Sequence, residues 1–268
     1  MTSRFSVVTH GFCLVSLAAL LGGCASRQSP PPPAAPPPAP VQVSPAAQRA
    51  IDFLRAQKAM SLSTLVVVRY LERQFGLEPF PAALAPGGEA QMRFFGRLID
   101  PSLTLSAEDL APLSELEGTN ALAIHCDRVP LPADYLERLR KLASGGGRRL
   151  GQAFLPLIWA VDNGCIRFES ARALAAENRA ALAEEAERDF ERLEGVLAIV
   201  FLQRFGFAED VKPEWIARLL AGQNADGGWV KEEAKDCDFR RTAVALMVLL
   251  AHDNPGRAWL PWPAPRPA

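Results

Sequence analysis

The chain has 268 residues, 49% apolar and 22% charged, and its 29 basic and 30 acidic residues leave a formal charge of −1. That is enough chain to bury one good core, and the lack of a basic surplus argues against a nucleic-acid partner. Eight of the 23 prolines lie between Pro30 and Pro40 and five between Pro255 and Pro267. The stretch between those two runs is rich in Ala, Leu, Arg and Glu, a composition that favours helix.

Residues 1–24 open with Arg4, continue with an apolar run from Val7 to Leu21 and end in Gly22-Gly23-Cys24. The run is shorter than the roughly 20 apolar residues of a membrane span and has the layout of a secretory signal. The ending Leu20-Leu21-Gly22-Gly23-Cys24 resembles the lipobox of bacterial lipoproteins. That resemblance implies cleavage after residue 23 and acylation of Cys24. With Ala25 in place of an inner-membrane retention Asp, it implies the periplasmic face of the outer membrane. Residues 24–45 then read as a disordered polyproline tether, the alternative being a proline-rich ligand for a partner domain. Cys126, Cys165 and Cys237 remain in an oxidising compartment, so one disulfide and one free thiol are expected, with the pair left open.

From residue 46 to 254, two kinds of helix alternate. Ala46–Gln57, Ala133–Ala143 and Pro213–Gln223 carry apolar residues at spacings of three and four and predict amphipathic outer helices. Leu62–Tyr70, Asn120–Cys126, Gly151–Val161, Gly195–Leu202 and Thr242–Ala251 are apolar nearly all round, which requires other helices on every side. Gln91–Arg97 and Ser170–Ala186 predict the remaining outer helices, and the acidic run Glu184–Glu194 predicts a solvated helix start. Pro79–Gly88 reads as a loop and residues 101–114 as an irregular connection. Residues 255–268 read as a proline-rich tail. A weak repeat places Asp189-Phe190-Glu191-Arg192-Leu193 and, 49 residues later, Asp238-Phe239-Arg240-Arg241-Thr242 at the openings of two inner helices.

Gln223-Asn224-Ala225-Asp226-Gly227-Gly228-Trp229 lies between an outer and an inner helix. It resembles the Gln-x-x-Asp-Gly-Gly-Trp repeat of the terpene cyclase and protein prenyltransferase superfamily. The paired glycines suit a tight turn with positive φ. Asp226 can accept turn amides, Gln223 can satisfy groups at a helix end, and the Trp229 indole can cover the loop. The motif thus acts as a staple between helices. The resemblance implies an all-α fold, an α/α toroid of about five outer and inner pairs, as a closed circle or an arc.

The residues that the family's chemistries require are missing from this sequence. Cyclases of this superfamily use an Asp-x-Asp-Asp-Thr-Ala acid; aligned on Thr242-Ala243, the last two acids fall on Arg240 and Arg241, which cannot donate a proton. The prenyltransferase zinc ligands are missing too: Arg241 stands in place of the His, and Arg148–Phe154 holds neither Asp nor Cys. The Cys-x-Glu-Gln thioester run of macroglobulin-like toroids is likewise absent. No catalytic residue and no cofactor is therefore expected. His125, Asp127 and His252 are weak metal candidates, better explained as caps at helix C-termini. Arg148, Arg149, Arg240 and Arg241 with Asn120 form a candidate anion-binding rim where inner helices begin; the alternative is an ion network with Asp189, Glu191, Glu194 and Asp238.

These readings lead to an outer-membrane lipoprotein whose helical module binds a small ligand or another envelope protein without catalysis. The alternatives are a divergent periplasmic enzyme acting on polysaccharide or lipid, and a purely structural module.

Overall fold

The computed structural model describes residues 40–110, 112–229 and 239–263. The signal, Cys24, most of the tether, Cys237, Asp238 and the last five residues lie outside them. The described residues form twelve α-helices, two 3₁₀ turns and one pair of two-residue strands. The fold is all-α.

Helix α1, Pro45–Arg55, begins at Ser44, whose hydroxyl accepts from the Ala47 amide, and buries the stripe Ala46, Ala47, Ala50, Ile51 and Leu54. Helix α2, Leu62–Phe75, is capped by Ser61 and ends at Gly76 in the left-handed conformation. Strands β1, Ala59–Met60, and β2, Ala83–Leu84, pair in parallel, so the loop read at 79–88 is partly tied to the entry of α2. Helix α3, Glu89–Phe95, runs into a 3₁₀ turn at Gly96–Leu98. The irregular connection that follows holds one short helix, α4, Ala107–Leu110.

Helix α5, Glu115–His125, opens with a full capping box between Ser114 and Glu117. Helix α6, Tyr135–Ala143, buries only Tyr135, Leu139 and Ala143, one narrow stripe at every fourth residue. Helix α7, Arg148–Asp162, is buried over much of its girth and tolerates Pro156 within it.

The outer helix read at 170–186 is two helices, α8 (Phe168–Glu177) and α9 (Arg179–Arg188). Asn178 breaks them: its side-chain amide donates to the Leu174 carbonyl at 2.9 Å, terminating α8. The acidic run 184–194 is not a helix start either. It ends α9, crosses a turn and enters α10, Leu193–Arg204, and its Glu185 is buried against Arg188 at 2.6 Å.

Helix α11, Pro213–Ala221, precedes the Gly-Gly loop, and α12, Arg240–Asp253, follows it with every residue from Thr242 to Leu250 buried. Helix α12 packs against α1, α2 and α10; α7 packs against α5, α6, α8 and α10; and α9 lies on α10. The helices that read as apolar all round therefore touch one another, and the amphipathic ones cover them, as the burial of an all-apolar surface demands.

The proline-rich tail is, over residues 254–263, an ordered strap. Trp262 is 4% exposed and stacks on Tyr70 at 4.4 Å. Side chains of α2 hold the strap's backbone: Gln74 donates to the Ala258 carbonyl at 3.0 Å and accepts from the Leu260 amide at 2.6 Å, and Arg73 donates to the carbonyls of Pro261 and Trp262. The prolines that suggested a free tail serve a segment with no ladder of its own, where missing amides cost nothing.

Candidate functional site

The Gly-Gly loop is a staple built from side chains. Trp229 is 2% exposed; its indole N–H donates to the Leu219 carbonyl at 2.7 Å and its amide donates to the Thr242 hydroxyl at 3.0 Å, joining α11 to α12. The Asp226 carboxylate accepts from the Gly228 amide at 2.9 Å. The Gln223 side-chain amide donates to the carbonyls of Ala46 and Gly227, both at 2.9 Å, and its oxygen accepts from Arg49. Gly227 has φ +94°, and a Cβ there would fall on the Arg49 carbonyl, so glycine is required. The motif therefore joins α1, at the start of the described chain, to α11 and α12 near its end. Ser44 and Gln42 complete that junction through Asp253 and Asn254.

One cavity of about 280 Å³ receives side chains from all five of α2, α5, α7, α10 and α12, with the α3 segment on one side and Trp262 of the strap. Eleven of its fifteen lining residues are apolar and none is a carboxylate. The four polar ones are Ser63, Gln91, Asn120 and Arg240. Ser63 and Arg240 stand at the first turns of α2 and α12, whereas Asn120 lies midway along α5 and Gln91 on α3. Trp159 and Trp262, both buried, line the cavity from the side where α2 and α7 end, and their rings meet edge to face at 6.5 Å.

Of the five residues expected at an anion-binding rim, Asn120 and Arg240 line this cavity; Arg148, Arg149 and Arg241 do not. Arg148 and Arg149 are exposed at the start of α7. Arg241 turns to the Trp229 carbonyl at 3.3 Å; burial lowers its pKa, with the nearby Glu191 opposing. Among the described residues the Asn120 Oδ1 is covered and has no hydrogen-bond partner.

The metal candidates are dispersed. His125 is fully buried with Nε2 3.1 Å from the Phe94 carbonyl, Asp127 pairs with Arg97 at 3.0 Å, and His252 is exposed on α12. Among the described residues no three His, Cys, Asp or Glu side chains gather as a metal site. Cys126 and Cys165 form the disulfide, with Cα atoms 6.2 Å apart, joining the end of α5 to the turn after α7.

The end of the cavity away from Arg240 is tied by charge as well as by the strap. Asp162, its side chain 5% exposed, pairs with Arg204 and accepts from the Trp262 amide at 2.7 Å. Burial pushes the Asp162 carboxyl above its ordinary pKa while Arg204 opposes the shift. Burial likewise pushes the Tyr70 phenol up, and its hydroxyl donates to the Leu260 carbonyl at 3.1 Å. Nothing in the sequence marked this cluster, because Tyr70, Asp162, Arg204 and Trp262 sit in four separate segments.

No protein-family model, curated protein or solved structure matches the chain. Among the described residues no helix is long and apolar enough to cross a membrane.

Proposed function

We propose that the protein is an envelope lipoprotein, anchored through Cys24 and held off the outer membrane by the proline tether, whose helical domain binds a small apolar ligand without catalysis. The observation that carries this reading is the cavity of about 280 Å³ walled by five helices far apart in sequence, eleven of whose fifteen lining residues are apolar. Pockets of that character are the usual small-molecule sites. The fold reading that accompanies it is an α/α toroid, with α2, α5, α7, α10 and α12 as the inner layer. The contacts α12–α2, α12–α10, α10–α7 and α7–α5 support it, as does the Gln223–Trp229 staple tying α1 to α11 and α12. The Cys126–Cys165 disulfide supports export, because such bonds persist in oxidising compartments. Arg240 and Arg241 in place of the cyclase acids support a non-catalytic role.

The test is native mass spectrometry of the full chain extracted from the envelope of a two-membrane bacterium. The expected result is a covalent lipid mass on the peptide beginning at Cys24 and a non-covalent adduct that is lost on denaturation. A Cys24→Ser chain that is still processed and lipidated overturns the anchor. A wild-type protein of clean apo mass that also fails to take up an added apolar dye overturns the binding reading.

A further inference from the structure

Among the described residues, seven covered side-chain N or O atoms have no hydrogen-bond partner, and three of them belong to residues of the cavity wall: Asn120 Oδ1, Trp159 Nε1 and Trp262 Nε1. Native interiors leave few such atoms, because each one costs the free energy of stripping it from water. The rest of the polar lining is satisfied elsewhere. The Ser63 and Ser61 hydroxyls share a hydrogen bond at 3.1 Å, Arg240 has an interaction partner within the chain, and Gln91 is exposed to water.

The three atoms come from neighbouring side chains. The Asn163 side-chain amide donates to the carbonyls of Ala123 and Ile124 at 2.8 and 3.0 Å, which sets the ends of α5 and α7 side by side. Asn120 and Trp159 each stand one turn before that tie, about 6 Å along their helices. The Trp262 ring meets that of Trp159 edge to face at 6.5 Å. Trp159 and Trp262 are 7% and 4% exposed, so bulk water does not serve their indole N–H groups. The wall therefore carries one acceptor and two donors in an otherwise apolar chamber.

A hydroxyl is the complement of that set, with one hydrogen to donate and two lone pairs to accept. A carboxylate or phosphate has no hydrogen for Asn120 Oδ1. An ammonium brings a charge that no lining carboxylate offsets. Size limits the rest of the molecule. A cavity of about 280 Å³ is roughly twice the ~150 Å³ apolar cavity that accommodates benzene, which suits about ten non-hydrogen atoms.

We infer that the ligand is a neutral alcohol of about ten non-hydrogen atoms, whose hydroxyl donates to Asn120 Oδ1 and accepts from the indole N–H groups of Trp159 and Trp262, while its hydrocarbon part fills the apolar remainder of the cavity. This rests on the binding reading above and adds to it the class of ligand. Because the three atoms are covered, binding turns these side chains in the wall, and a change in tryptophan emission reports it.

The test is a binding titration of the full lipidated chain in nanodiscs, read by tryptophan fluorescence, with probe uptake by empty nanodiscs subtracted. The probes are 1-nonanol, its isomer methyl octyl ether, and nonylammonium, which are equal in size. The ether keeps an accepting oxygen and lacks the hydrogen; the ammonium has hydrogens and a charge. Nonanol is expected to bind at least about fivefold tighter than either, as one net hydrogen bond implies. Asn120→Leu is expected to bring nonanol down to the affinity of the ether, and a urea midpoint like that of the wild type shows that the variant is folded. Trp159→Phe keeps a ring and removes one donor, so it is expected to weaken nonanol and the ether alike. Leu197→Phe, which fills the wall, is expected to weaken all three probes. Equal affinity of the wild type for nonanol and the ether, or a nonanol preference that survives Asn120→Leu, overturns the bond to Asn120 while the binding reading stands. Tighter binding of nonylammonium than of nonanol overturns the neutral head. Affinities unchanged by Trp159→Phe overturn the indole's part, and affinities unchanged by Leu197→Phe overturn the location in this cavity. Failure of every probe to bind the wild type overturns the binding reading itself.

Discussion

The two ends of the inner helices are built differently. Where they finish, the protein ties them: the Cys126–Cys165 disulfide, the Asp162–Arg204 pair and the strap carrying Trp262 all lie there. Asn163 donates to the carbonyls of Ala123 and Ile124, and Arg257 to that of Gln74. Where the helices begin, α2 and α5 carry their own serine caps, α10 has Glu194 in its first turn, and α12 is held through Thr242 and Arg241 to the backbone of Trp229. Helix polarity accounts for the contrast. Carbonyl ends need donors, and Arg and Asn side chains reach far enough to supply them across a junction; amide ends need acceptors, which a serine hydroxyl or a carboxylate supplies from within a residue or two of the helix start.

That contrast is broken most strongly at Asp162. Replacing it with Ala leaves Arg204, 12% exposed, without its partner, and unfolding in urea should show a loss of about 3–5 kcal/mol. Gln91→Ala on the opposite side should change the same measurement by less than about 0.5 kcal/mol. Next in size, the Cys126→Ala/Cys165→Ala double variant releases a cross-link spanning 39 residues. Its stability should fall by about 2–4 kcal/mol, and treating the wild type with a reductant should reproduce the shift.

A change at the beginning end should be milder. Ser114→Ala removes the capping box of α5 and should lower stability by about 1 kcal/mol in the same assay. The smallest effect lies outside both ends, at Asp210, where the hydrogen bond from Arg179 holds the carboxyl below its ordinary value near 3.8. A carboxyl lowered on folding adds stability that is complete above that ordinary value and is lost as the pH falls through the lower folded one. The wild type should therefore show a drop in its urea midpoint below about pH 4 that Asp210→Asn lessens slightly, the remainder belonging to carboxyls such as Asp109 and Asp134 that folding also lowers.

The helices were legible because their signal is local. The four-residue spacing of Tyr135, Leu139 and Ala143 and the all-apolar text of 242–250 each name a helix and its surroundings without reference to the rest of the chain. The staple was legible for the same reason, since Gln223, Asp226, Gly227 and Gly228 interact largely within one loop. Its reach to Ala46 and Arg49 was not, being 177 and 174 residues away in sequence. The break at Asn178 was hidden inside a continuous helical pattern, because one side chain bonding back to Leu174 decides it.

For the cavity, sequence marked Asn120 and Arg240 as polar residues near inner-helix starts and grouped them with Arg148, Arg149 and Arg241. Tertiary packing kept the first two and turned Arg241 toward the Trp229 carbonyl.

Composition and period alone determined that this chain folds as helices, which of them are buried on every side, and where a Gly-Gly-Trp loop joins two of them. Only the tertiary structure decided which two cysteines meet, that a proline-rich stretch closes one end of a cavity, and which polar side chains share it. Helical pattern is written in neighbours three and four residues apart. A cavity is defined by side chains such as Ser63, Asn120, Trp159, Arg240 and Trp262, whose proximity depends on how whole helices pack.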